Sequence, residues 1–249
     1  MIQIGRQEYG ISNFAIRLLG IAAMVAGGVG YIKGYGYDWL EAFGWTSFTF
    51  FAFLLAEGIT HTTNKKLYFR RFLLFTIIGE VAYTYYRTQT FWSPRFFSAM
   101  STLFLGFVVC LIASILKKRF DNMVLDMIAL GGLGYAAYYL AERFHFDFGG
   151  FGIIIVIGFY IARNVTYTKI TQAAVLLYIS FFLSSNVMTY IAVGGIQYPI
   201  ATEFFSVAAL PFIWLYSDQR GPNSVFLQLL QYLAYPIFVG VLIAIKYFL

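Results

Sequence analysis

The sequence predicts an all-α fold: a polytopic transmembrane helix bundle of about nine spans, with a cytoplasmic N-terminus and a single integral membrane domain over 1–249. Three observations predict it. Of the 249 residues, 60% are hydrophobic and only 11% charged, where an ordinary soluble domain carries about 25% charged residues, and the mean hydropathy is +0.74. Apolar runs long enough to cross a bilayer recur along the chain. The basic residues gather in alternate loops between those runs.

A hydrocarbon core of about 30 Å takes roughly 20 helical residues. The first thirteen residues are mixed polar, with Arg6, Glu8 and Ser12, and the apolar stretch after them holds seven glycines and alanines between Ala15 and Gly28. A cleavable signal has a basic start and a purely apolar centre, so Ala15–Ile32 is read as a retained first span. The others follow at Trp45–Ile59, Phe72–Tyr86, Ala99–Leu116, Met123–Leu140, Phe151–Ala162, Ile170–Val193, Ile200–Tyr216 and Leu227–Leu249. Glycine pairs such as Gly27-Gly28, Gly131-Gly132 and Gly149-Gly150 let helix backbones approach closely in lipid. The single cysteine, Cys110, lies inside an apolar run and reads as core packing or a lipid-facing residue.

Nine such helices use roughly 180 residues, so only short loops remain. That excludes a nucleotide-binding cassette, a dinucleotide fold or a zinc-finger module, and it turns the net charge of +6 into a topology signal, with no nucleic acid as partner. With nine spans the N-terminal side holds Arg6, Arg17, Lys65, Lys66, Arg70, Arg71, Lys117, Lys118, Arg119, Arg163, Lys169 and Arg220, 12 of the 17 basic residues. Positive charge marks the cytoplasmic face. The lipid bilayer is the first partner.

Ionisable groups at membrane depth are costly and face a cavity or a partner. Glu57, Glu80, Asp126 and Glu203 are the carboxylates in that position. Glu57 and His61 stand four apart, so on a continuing helix they share a face and can hydrogen-bond. Functionally, the carboxylate would orient the imidazole as a general base; structurally, the pair would be a satisfied polar helix end. Asn64 extends that face by a turn. For Glu80 and Asp126, pairing with Arg70 or Arg71, or with Tyr and Thr hydroxyls, is a plainer reading than an ion path. His145 and Asp147 stand two apart in an outer loop and could pair, or could simply sit among interfacial aromatics. Two histidines and one cysteine, far apart, support no metal site. No phosphate-cradling loop appears, because the glycines lie inside apolar spans.

The stretch from Phe53 to Phe75 reads as a Phe-rich span ending in Glu57-Gly58, a turn of His61, Thr62, Thr63 and Asn64, then Tyr68 and Arg71 leading into the next span. Asp147-Phe148-Gly149-Gly150-Phe151-Gly152, Phe159-Tyr160-Ile161-Ala162-Arg163, Tyr216-Ser217-Asp218-Gln219-Arg220-Gly221 and Tyr232-Leu233-Ala234-Tyr235-Pro236 follow in order. In these segments the chain resembles the TraX family of bacterial membrane proteins. The resemblance implies an acyltransferase-like bundle of the bacterial cytoplasmic membrane, typified by acetylation of the N-terminus of a conjugative pilin, with acetyl-CoA as donor. It implies Glu57 and His61 as catalytic candidates and Asn64, Tyr68, Arg71 and Asp147 as substrate-binding candidates.

Departures from that pattern carry the functional reading. The family's first span carries an Asp-His pair after its Met, and here Met24 is followed by Val25-Ala26-Gly27-Gly28. The C-terminal Tyr-Pro-x-His becomes Tyr235-Pro236-Ile237-Phe238. Losing these polar positions together is the mark of a non-catalytic relative, so the expected role is a membrane subunit of an export or conjugation-type complex, with other membrane subunits or a peptide as partner. The alternative is an active acyltransferase that uses acetyl-CoA to acetylate an amine. A stand-alone transporter has no charged pathway to support it.

Overall fold

The structure, a computed structural model, describes residues 10–33, 38–120, 123–163, 165–183, 187–193, 196–219, 221–222 and 225–248. Of the charges read above, Arg6, Glu8 and Arg220, and the side chains of Lys118 and Asp126, lie outside the described residues. In chain order the helices are α1 Asn13–Lys33, α2 Asp38–Glu41, α3 Phe43–His61, α4 Lys65–Thr88, α5 Ala99–Phe120, α6 Met123–Arg143, α7 Gly149–Arg163, α8 Thr168–Tyr178, α9 Leu210–Trp214 and α10 Val225–Phe248. A strand pair, β1 Val187–Val193 and β2 Ile196–Ala201, interrupts them.

Two expectations are corrected here. Among the described residues three helical stretches, not nine, are long and apolar enough to cross a membrane: Asn13–Ile32, Trp39–His61 and Ala99–Lys117. α4 has the length, but Lys65, Lys66, Arg70, Arg71, Glu80 and Arg87 dilute its apolar run. α7 is apolar yet only 15 residues long.

The chain is also not wholly α. The seventh and eighth expected spans, 170–193 and 200–216, are not continuous helices. α8 ends at Tyr178 and a π-helical turn follows over Ile179–Leu183. β1 and β2 then pair antiparallel, with Thr189 opposite Ile200 and Val193 opposite Ile196. A 3-10 stretch over Thr202–Ala209 leads into α9. Composition explains the difference: Val187, Thr189, Ile191 and Val193 are β-branched, Gly194-Gly195 separates the two runs, and Pro199 has no amide to donate in a helix interior, which costs a helix there about 3 kcal/mol. Such runs are as apolar as a membrane helix, so a hydropathy reading does not separate them.

The described chain divides into two compact units, 1–54 with 176–231 and 55–175 with 232–249. In the first unit α1 lies against α2 and the start of α3. A Cβ on Gly27 would stand 2.9 Å from the Gly44 amide nitrogen, and one on Gly30 would overlap the backbone of Leu40 and Glu41. These glycines do pack as expected. The Ser47 hydroxyl donates to the Gly20 carbonyl at 2.8 Å and Thr46 to the Phe205 carbonyl at 2.6 Å, so α3 binds both neighbours through their backbone carbonyls. Edge-on ring pairs Phe43–Phe205, Phe50–Phe212 and Phe53–Tyr216 continue the contact. Ile11 pairs with the 215–217 backbone, accepting from Ser217 and donating to Leu215.

In the second unit α5, α6 and α7 pack on one another around Val109, Ala137, Ala141 and Ile153. Gly106 seats Val156 and Gly134 seats Ile157. Tyr68, Phe72, Phe104 and Phe107 form a ring cluster between α4 and α5. Cys110 is fully buried in α5, which settles it as core packing. Gly131 and Gly132 behave otherwise: they are exposed, with nothing within 4 Å of a Cβ on either.

Candidate functional site

The C-terminal turn of α3 carries Glu57 and His61, and the last turn of α7 carries Arg163. One helical turn brings the His61 Nε2 to 3.2 Å from Glu57 Oε2. From α7, Arg163 Nε donates to Glu57 Oε1 at 3.0 Å, and its Nη2 lies 3.1 Å from His61 Nε2. A cation in the last turn of α7 also answers the negative end of the helix dipole. The Glu57 side chain is 6% exposed, against 47% for His61 and 39% for Arg163. A buried carboxylate is therefore closed on one side by a guanidinium and on the other by a solvent-facing imidazole.

The geometry limits the chemistry. One ring nitrogen cannot both donate to Glu57 and accept from Arg163, so the tautomer of His61 decides which contact is a hydrogen bond. With Nε2 protonated, the carboxylate orients the ring as in an acid–base pair; with Nε2 bare, Arg163 takes the ring and Glu57 is left to the guanidinium. In both states Glu57 is an ion-pair partner. The helix end itself is finished locally by Thr60, whose hydroxyl donates to the Glu57 carbonyl at 2.8 Å.

The other expected site residues divide. Tyr68 comes close: its hydroxyl sits where a side chain on Gly58 would be, a hypothetical Cβ lying 2.6 Å away, beside Glu57. Asn64 has a structural task as the N-cap of α4, its Oδ1 accepting from the Leu67 amide at 3.0 Å. Arg71 is exposed and makes no hydrogen bond or ion pair with this group among the described residues. Asp147 belongs to the opposite end of the helices: it precedes α7, whereas Arg163 ends it. There Tyr83 donates to Asp147 Oδ1 at 2.9 Å and Arg87 donates to the Tyr83 hydroxyl at 3.1 Å. No hydrogen bond joins His145 to Asp147 among the described residues, and the His145 ring lies against Phe96 instead.

Arg163 was absent from the expected site. Its signal was the Phe159-Tyr160-Ile161-Ala162-Arg163 segment, whose function no local spacing reveals. Glu80 is a helix-end ligand. It accepts from the Ser98 amide at 3.0 Å, from the Ser101 hydroxyl, and from Thr84 at 3.4 Å, where α5 begins. The hydroxyl reading of Glu80 holds, with the α5 N-terminus added.

No curated protein and no solved structure matches the chain. The family model described as TraX protein matches residues 12–246. That match takes in α1 through α10, the Glu57–His61–Arg163 group and both corrected spans, and on it the chain belongs to the TraX family.

Proposed function

We propose that this TraX-family protein is a non-catalytic, multi-pass subunit of a bacterial cytoplasmic membrane complex of the export or conjugation type, its N-terminal side facing the cytoplasm. The observation that carries the reading is the packing of α1 at Gly27, where a Cβ would stand 2.9 Å from the Gly44 amide. Where the family's pattern has an Asp-His pair, this chain has backbone against backbone and no space for an acid or a base. The engagement of Glu57 by Arg163 supports the same reading, because a carboxylate clamped between two helix ends serves packing. The open Gly131-Gly132 surface of α6 suits the close approach of a partner helix in lipid.

The alternative, an acetyl-CoA-dependent acyltransferase, draws on His61, whose imidazole is half exposed and within reach of Glu57. It would take the proton of an amine as the amine attacks the thioester carbonyl and return it to the CoA thiolate that leaves as the C–S bond breaks, and it still needs a donor for the oxyanion. Calorimetric titration of acetyl-CoA into the purified protein in detergent separates the two. The expected outcome is no heat of binding. Micromolar binding, about −8 kcal/mol, lost in both Glu57→Ala and His61→Ala, would overturn the subunit reading.

A further inference from the structure

At the end of α4 far from Glu57, a cleft of about 850 Å³ opens between the α4–α5 and α6–α7 loops. Its lining includes Arg87, Arg95, Arg143, His145 and Asp147. We propose that this cleft is a binding site for a phosphate group, in first place that of an anionic phospholipid headgroup. The lining carries three arginines and one carboxylate, so the cleft is net positive. Asp147 already accepts from Tyr83, and Glu142 is turned to the Gly150 amide at 2.7 Å. Arg87 is held by the Tyr83 hydroxyl and lies over the Phe96 ring, 4.6 Å from its centre. Arg95 and Arg143 are exposed, and among the described residues neither has a carboxylate partner.

Ligand chemistry follows from the donors. One guanidinium fork satisfies both oxygens of a carboxylate, whereas three forks call for a ligand with more acceptor oxygens, which a phosphate has. The lipid source is favoured by the loop itself: Phe91 and Trp92, each 72% exposed, lie in the same connection as Arg95, and aromatic residues of this kind settle at headgroup depth.

The test uses the full chain in a phosphate-free maltoside detergent, titrated calorimetrically with inorganic phosphate in one arm and with phosphatidylglycerol mixed micelles in the other. The Arg95→Gln/Arg143→Gln variant should raise the lipid dissociation constant about tenfold or more, since each charge-assisted hydrogen bond contributes more than a neutral one. Lys66→Gln, at the other end of α4, should leave it unchanged. Binding in the lipid arm alone assigns a headgroup, and binding in both arms a site for the phosphate group itself. Binding in the phosphate arm alone keeps the site and overturns the lipid source. Absence of binding in both arms, a variant within twofold of the parent, or an equal loss in Lys66→Gln overturns the proposal. If the double variant fails to fold, Arg95→Gln alone, on an exposed loop, reads the same effect.

Discussion

Glu57 has two carboxylate oxygens and each has a partner, Arg163 at 3.0 Å and His61 at 3.2 Å. Removing the cation leaves a buried charge without compensation, which costs about 3–5 kcal/mol where both partners are buried. Arg163 is 39% exposed, so solvent takes over part of its role and Arg163→Met should cost about 1–3 kcal/mol by denaturant unfolding in detergent. Adding Glu57→Gln should recover part of that loss, because the uncompensated charge is then gone; simple addition of the two losses would show that the groups are not coupled. The half of this group on α3 was legible, since a four-residue spacing puts two side chains on one face. Arg163 was not, because it lies 102 residues beyond His61 and only packing of α7 brings it there. Asn64, one turn further along that face, also caps α4, a task that its spacing from His61 does not show.

At the scale of elements, helix extents follow the apolar runs closely wherever polar residues bracket them. α1 covers Asn13–Lys33 where Ala15–Ile32 was expected, and α6 covers Met123–Arg143 where Met123–Leu140 was expected. The strand pair escaped because β-branched apolar residues satisfy the same hydropathy window as a membrane helix. Its register gives a direct check. Thr189 and Ile200 are opposite each other, and paired strands place such Cα atoms about 4.5–5.5 Å apart, within disulfide reach. Thr189→Cys with Ile200→Cys, on a Cys110→Ser background, should cross-link readily on mild oxidation. A helix through this segment would hold the two about 16 Å apart, at 1.5 Å per residue, and no cross-link would form.

For the whole molecule, the question is which helices cross the bilayer. α4 carries six charged residues over its 24, yet at 1.5 Å per residue it is about 36 Å long, enough to span. Lys66 lies in its first turn and Arg95 beyond its last. In intact cells, on the Cys110→Ser background, an impermeant maleimide should label Arg95→Cys directly and Lys66→Cys only after permeabilisation. Equal labelling of the two would mean that α4 does not cross. By itself the sequence determined the membrane-protein composition, the family, most helix extents and the Glu57–His61 pair, because each depends on neighbours a few residues apart. Tertiary structure alone decided that Arg163 closes on Glu57, that Gly27 and Gly30 are packed while Gly131 and Gly132 are open, and that Asp147 stands with Tyr83 and Arg87. The physical reason is that burial and ion pairing are set by segments meeting across long stretches of chain, and hydropathy, summed along the chain, carries no record of which segments meet.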